Sequence, residues 1–205
     1  MIKLECFYDC TSPWTYLAFT GLQPIAERYK VDIEWRPVLV GGIFNAVNQD
    51  LYAQREAAFA NKRRMNYMMK DLTDWAELRG IEINWPSFHP ANAVKCMRGC
   101  CVAAEQGLLL EYSKALFEAY WGRCEDVGNE DVLSAIVSGL GMDATAFLQR
   151  IGEQAIKDQL RANTDEVIER GAFGSPTIYI NGDDMYFGND RLPLIEHKLE
   201  LLSHS

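Results

Sequence analysis

The sequence is short of basic residues, of histidine and of long apolar runs. Twenty Lys and Arg stand against 29 Asp and Glu, a formal net charge of -9. Nucleic-acid binders normally carry a basic surplus, and anionic membrane surfaces attract one, so neither is expected as a partner. A small anionic ligand is not excluded, because a few local donors override the global sign. The three histidines, His89, His197 and His204, show no metal-ligand spacing, and no metal site is expected. No apolar run approaches the ~20 residues of a membrane-spanning helix. Among the six cysteines (Cys6, Cys10, Cys96, Cys100, Cys101 and Cys124) there is no C-x-x-C, so the spacing describes neither a zinc ribbon nor a dithiol pair. No secretory leader precedes the first strand-like segment, and the expectation is reduced thiols in a cytoplasmic protein.

What is present is an ordinary globular chain of 205 residues, 48% hydrophobic and 24% charged, enough for one domain or one domain with an insertion. Ile2 to Tyr8 alternates and is rich in strand formers. Ser12-Pro13 reads as a helix start, with apolar residues at Trp14, Leu17, Ala18, Leu22, Ile25 and Ala26 in helical period. Val31 to Val38 alternates again, so the first forty residues read strand, helix, strand. From Gly41 onward helical patterns dominate, over 53–79, 91–106, 109–120, 131–140, 144–150 and 153–169, with a loop at 41–49. The end returns to strands: Thr177 to Ile180, a two-residue Asn181-Gly182 turn, Met185 to Phe187, then a helix from Arg191 to Leu202. The expected division is 1–40 with 171–205 as one discontinuous sheet domain, and 41–170 as a mainly helical insertion whose last helix packs on the sheet. There is no internal repeat and no low-complexity tract.

Three places carry possible chemistry. The first is Asp9 to Tyr16, where a strand hands over to a helix. Unpaired N–H groups and the positive end of the helix dipole suit an anion such as a thiolate there. Ser12 adds a hydroxyl, or serves only as the helix cap. The second is Gly174-Ser175-Pro176-Thr177. Proline just before a hydrophobic strand is unusual, and either a cis Ser175-Pro176 bond or a trans proline at the strand start accounts for it. A cis turn would leave the Ser175 backbone free to pair with an extended peptide. The third is Phe187 to Arg191. Asn189 or Asp190 can cap the last helix, whose N–H groups can hold a carboxylate; Asp190 can also accept from an ammonium. Arg191 reads as structural, ligand-binding or a solvated helix-start charge.

Phe7-Tyr8-Asp9, Ser12-Pro13, Tyr16, Phe173-Gly174-Ser175-Pro176-Thr177 and Phe187-Gly188-Asn189-Asp190-Arg191-Leu192 together resemble one family: the 2-hydroxychromene-2-carboxylate isomerases and kappa-class glutathione transferases. These form the serine branch of the DsbA-like thioredoxin superfamily. The resemblance spans the chain and implies an α/β, thioredoxin-like (DsbA-type) domain with an all-helical insertion. Where the redox members carry C-P-x-C, this chain has Ser12-Pro13-Trp14-Thr15, and dithiol exchange needs both thiols.

The resemblance further implies glutathione as cofactor. Ser12 would favour its thiolate, and Ser175 with Pro176 would pair with its cysteinyl backbone. Asn189, Asp190 and Arg191 would receive the γ-glutamyl end, and Asn48 with Lys62 or Arg64 the glycine end. In the loop Gln49 competes with Asn48, and Arg63 with the two basic residues. Trp14, Tyr67 and Asn92 would line a second-substrate pocket, with Asn92 alternatively capping the next helix. The implied activity is cis-trans isomerisation of an aromatic-degradation intermediate, with a kappa-type transferase or a redox-inactive peptide-binding protein as alternatives. A homodimer handling small molecules is implied, without nucleic acid or membrane.

Overall fold

The first strand, β1 (Leu4–Tyr8), is buried at every residue, as a central strand covered on both faces must be. The computed structural model describes residues 2–47, 49 and 61–204. After β1 come α1 (Pro13–Tyr29), β2 (Ile33–Pro37) and α2 (Val40–Val47). The helical block holds α3 (Lys62–Arg79), α4 (Val94–Glu105), α5 (Leu109–Phe117), α6 (Glu130–Gly139), α7 (Ala144–Ile151) and α8 (Gln154–Glu169). Strands β3 (Thr177–Ile180) and β4 (Asp184–Phe187) follow, then a short 3-10 turn (Asn189–Arg191) and α9 (Leu192–Ser203). The sheet order is β2-β1-β3-β4, with β1 parallel to β2 and antiparallel to β3.

The period-two alternation of β1 sorts its side chains between two cores. Leu4, Cys6 and Tyr8 join Trp35, Ile178 and Ile180 in one cluster with buried residues of α1, α4 and α9. Phe7 joins Tyr179 on the other face, with Ile43 of α2 and Val167 of α8. On this second face lies Glu5, 1% exposed, its carboxylate bound by Arg170 at 2.8 Å and Lys3 at 2.9 Å. The Arg170 guanidinium in turn lies 4.0 Å from the centre of the Tyr179 ring.

Burial pushes the Glu5 carboxyl up, but the hydrogen bonds and charges of Arg170 and Lys3 outweigh it and hold the group below the usual glutamate range. A depressed folded-state value contributes stability above the unfolded value, and that stability is lost as pH falls through the folded one. Melting temperatures measured from pH 7 to pH 3 should therefore drop in the acid limb below the usual glutamate range. Glu5→Gln should flatten that limb; an unchanged limb in the variant would remove Glu5 as its origin.

Three elements differ from the sequence reading. The expected loop at 41–49 is helix α2 over Val40–Val47, despite Gly41 and Gly42. Its start is held from outside: the Val40 N–H donates to Asp9 Oδ2 at 2.9 Å, and the Leu39 N–H to Thr164 Oγ1 at 3.1 Å. Gly42 lets α2 lie against α8, since a Cβ there would stand 3.2 Å from Thr164 Cγ2. The expected helix 109–120 ends at Phe117 and continues as a π-helical turn, Glu118–Gly122. The Asn181-Gly182 hairpin is a three-residue loop, because Ile180 pairs with Asp184. Asn181 bonds to Lys3 instead, donating from its N–H to the Lys3 carbonyl at 2.8 Å and accepting from the Lys3 N–H at 3.0 Å. The part of the expected helix over 53–60 lies outside the described residues.

Candidate active site

The loop between β1 and α1 has nearly all its polar groups spoken for, which makes the exceptions informative. Asp9, 1% exposed, gathers three donors: Thr11 N–H at 2.8 Å, Thr11 Oγ1 at 2.7 Å and Val40 N–H at 2.9 Å. Burial pushes its carboxyl above the usual aspartate range despite those donors. The Cys10 carbonyl accepts from the Trp121 indole N–H at 2.9 Å, which is what the π-helical turn accomplishes. The Asp9 N–H donates to Ser175 Oγ at 3.0 Å.

Ser12 caps α1 as expected: its backbone is extended and its Oγ accepts from the Thr15 N–H at 3.3 Å. The Thr15 and Tyr16 N–H groups also reach the Ser12 carbonyl, at 3.1 and 3.2 Å. Pro13 has no N–H. The Trp14 N–H is then the one donor of the first turn with no hydrogen-bond partner among the described residues. It sits at the positive end of a 17-residue helix.

Opposite stands the turn before β3, where the Ser175-Pro176 peptide is cis. Ser12 Oγ donates to the Ser175 carbonyl at 3.3 Å, and Ser175 Oγ lies 2.9 Å from Thr15 Oγ1. Ser12, Thr15 and Ser175 thus form one hydroxyl cluster bridging the helix start and the turn. The Ser175 N–H makes no hydrogen bond among the described residues. The two halves of the terminal motif pack as a unit. Phe173 and Phe187 rings are 4.5 Å apart, and a Cβ on Gly174 would stand 2.8 Å from the Phe187 ring. The Gly188 N–H donates to the Pro176 carbonyl at 3.1 Å.

Beyond that turn, neither Asn189 nor Asp190 caps α9. No side chain among the described residues caps it, and Pro193 occupies its first turn, where a missing N–H costs nothing. The Asp190 carboxylate is held by Arg191 at 2.6 Å. Asn189 is 2% exposed, and both its amide nitrogen and oxygen lack a partner among the described residues. A buried amide without partners costs on the order of 1–3 kcal/mol, so this position is the least satisfied polar group near the turn.

The other anticipated residues are more dispersed. Trp14 packs with Trp75 and Trp85 around Leu17, Leu72 and Ala76. Lys62, Arg64 and Tyr67 are exposed on α3, which Asn61 caps through the Arg64 N–H at 3.3 Å. Asn92 is exposed and accepts from the Val94 N–H at 3.1 Å, a local bond at the start of α4. Asn48 lies outside the described residues. A groove of about 720 Å³ runs along α1 from Tyr16 to Glu27, bordered by Arg79 and Arg123, and does not include Ser12.

Sequence reasoning passed over the side chains of Asp9, Thr15 and Ser175. The available signal was their company: a carboxylate ending a buried strand, and hydroxyls at both ends of the turn-to-helix contact. The six cysteines are free, five of them buried, and burial pushes the Cys101 thiol up to about 12. None of them occupies a tetrad position.

Comparisons with known proteins agree with the fold. The DSBA-like thioredoxin domain matches residues 3–200. The chain is 28% identical over 193 residues to a 2-hydroxychromene-2-carboxylate isomerase of Pseudomonas putida, covering 94% of this chain and 92% of that one. It is 29% identical over 209 residues to rat glutathione S-transferase kappa 1, covering 96% and 90%. Among solved structures, a selenomethionine 2-hydroxychromene-2-carboxylate isomerase superimposes with a TM-score of 0.82 at 27% identity, covering 97% and 95%. A probable DsbA oxidoreductase of Streptomyces coelicolor, at a TM-score of 0.73 and 16% identity with 97% and 88% covered, shares the fold. The chain belongs to the DsbA-like thioredoxin-domain family, and within it is similar to the 2-hydroxychromene-2-carboxylate isomerases and the kappa glutathione S-transferases.

Proposed function

We propose that the protein is a glutathione-dependent cis-trans isomerase acting on an aromatic-degradation intermediate of the 2-hydroxychromene-2-carboxylate type. The observation that carries this reading is the pair of donors at the start of α1. The Ser12 hydroxyl and the Trp14 N–H lie beside a turn whose Ser175 N–H, like that of Trp14, has no partner among the described residues. Such a donor set suits an anionic sulfur on an extended peptide better than a dithiol reaction, for which Ser12 and Thr15 supply no thiol. The unpartnered amide of Asn189 supports the same ligand, since a γ-glutamyl group brings both carboxylate and ammonium to that end.

When bound, glutathione would supply a thiolate able to add to a conjugated double bond and leave again after rotation about it. The chain's own residues would bind and orient. The Ser12 hydroxyl and the helix start stabilise the negative sulfur, whose thiol would otherwise be mostly protonated near pKa ~8.5. Ser175 and Pro176 offer backbone to the cysteinyl unit, and Asn189, Asp190 and Arg191 form the γ-glutamyl end. Lys62 or Arg64, with Asn48, are assigned to the glycine carboxylate. Trp14, Tyr67 and Asn92 are assigned to the second substrate.

Similarity to rat glutathione S-transferase kappa 1 favours a second reading, a transferase on the same thiolate site. Mass analysis of the product separates them: unchanged substrate mass is expected, and a gain of one glutathione would make the protein a transferase. A melting-temperature rise with millimolar glutathione is expected in either case. Its absence would leave the peptide-binding alternative.

A further inference from the structure

We infer that glutathione binding and activation of Ser12 are one hydrogen-bond exchange at the Ser175 carbonyl, kept in register by Thr15. The inference rests on the glutathione reading above. A serine hydroxyl has a single proton to give. In this structure the Ser12 Oγ gives it to the Ser175 carbonyl at 3.3 Å, so it is not available to a sulfur. The same carbonyl is the acceptor that the cysteinyl N–H of an extended peptide would take. As that N–H arrives it competes for the carbonyl, and the Ser12 proton turns to the sulfur, which stands on the same residue of the ligand. The proton stays on Ser12 throughout and only its acceptor changes. The bond given up is long, and exchanging it costs little.

Thr15 keeps both partners in place while the donor changes. Its N–H holds Ser12 Oγ at 3.3 Å, so the oxygen stays put as its proton turns. Its hydroxyl lies 2.9 Å from Ser175 Oγ, which also accepts from the Asp9 N–H at 3.0 Å. Thr15 is fully buried, and it acts through Ser12 and Ser175. It is a positioning residue, at the tetrad place where redox relatives carry their second thiol.

The exchange makes an unusual demand on binding. A sulfur-free analogue, γ-glutamyl-alanyl-glycine, still competes with Ser12 for the carbonyl but gives the hydroxyl no sulfur in return. Calorimetry should therefore find it bound about two-fold tighter by Ser12→Ala than by the wild type, the low end for one neutral hydrogen bond, as the length of this one requires. Equal or weaker binding by Ser12→Ala would overturn the exchange. The ultraviolet thiolate absorbance of bound glutathione, followed against pH, tests Thr15. Thr15→Val should raise the pH of half-ionisation and Thr15→Ser should restore it, whereas an unmoved value in Thr15→Val overturns the positioning role. If the wild type binds neither glutathione nor the analogue, the glutathione reading itself fails, and the exchange with it.

Discussion

Ser12→Ala is expected to lower glutathione-dependent turnover by about 10²–10³-fold, the usual loss when one donor to a reacting anion is removed. The variant loses two things at once. As helix cap, Ser12 accepts from the Thr15 N–H, and its truncation should cost about 1 kcal/mol of stability. As donor, it supplies the hydroxyl proton beside the Trp14 N–H. Urea unfolding measures the first and steady-state rates at saturating glutathione the second. A folded variant with wild-type turnover would remove Ser12 from the chemistry. Ser12→Thr keeps the hydroxyl and should retain a substantial part of the rate.

Gly99→Ala is expected to destabilise the fold by about 2–3 kcal/mol, the range for overpacking a close-packed core. Gly99 lies in the middle of α4, where alanine by itself would favour the helix by about 1 kcal/mol. Packing reverses that sign. A Cβ there would stand 2.2 Å from the Tyr112 hydroxyl oxygen and 2.6 Å from Phe147 Cζ. Tyr112 is fully buried and Phe147 is 1% exposed, so neither ring has room to retreat. Adding Tyr112→Phe to Gly99→Ala removes the atom that clashes worst. Its only hydrogen bond among the described residues is a long one, 3.4 Å to the Cys96 carbonyl. The double variant should regain part of the loss in urea midpoints, the rest remaining because Phe147 Cζ would still stand 2.6 Å from the added Cβ. A Gly99→Ala protein as stable as wild type would show that α4 and α5 can separate without cost.

Much of the sheet and its flanking helices could be read from local rules, because those elements follow local physics. The alternation of Leu4 to Tyr8 and the Ser12-Pro13 start each depend on residues a few positions apart. The failures share one cause, a partner distant in sequence. Helix α2 forms over Gly41 and Gly42 because Asp9, some thirty residues earlier, takes the Val40 N–H. The hairpin loop is one residue longer than its Asn-Gly signature suggests because Asn181 bonds to Lys3 at the far end of the chain. Asn189 looks like a cap and is instead a buried amide without partners among the described residues, since Pro193 leaves α9 fewer N–H groups to satisfy.

The candidate site divides along the same line. Residue identity alone established that both tetrad thiols are absent, that the helix start carries a hydroxyl, and that the resemblance is to a serine branch; these are properties of single positions. Only the tertiary structure decided what the Ser12 hydroxyl faces. Its acceptor, the Ser175 carbonyl, is 163 residues away, and its register is set by Thr15 and Asp9 holding Ser175 Oγ. A hydroxyl's proton goes to whichever acceptor the fold brings within about 3.3 Å, and no local pattern encodes that neighbour.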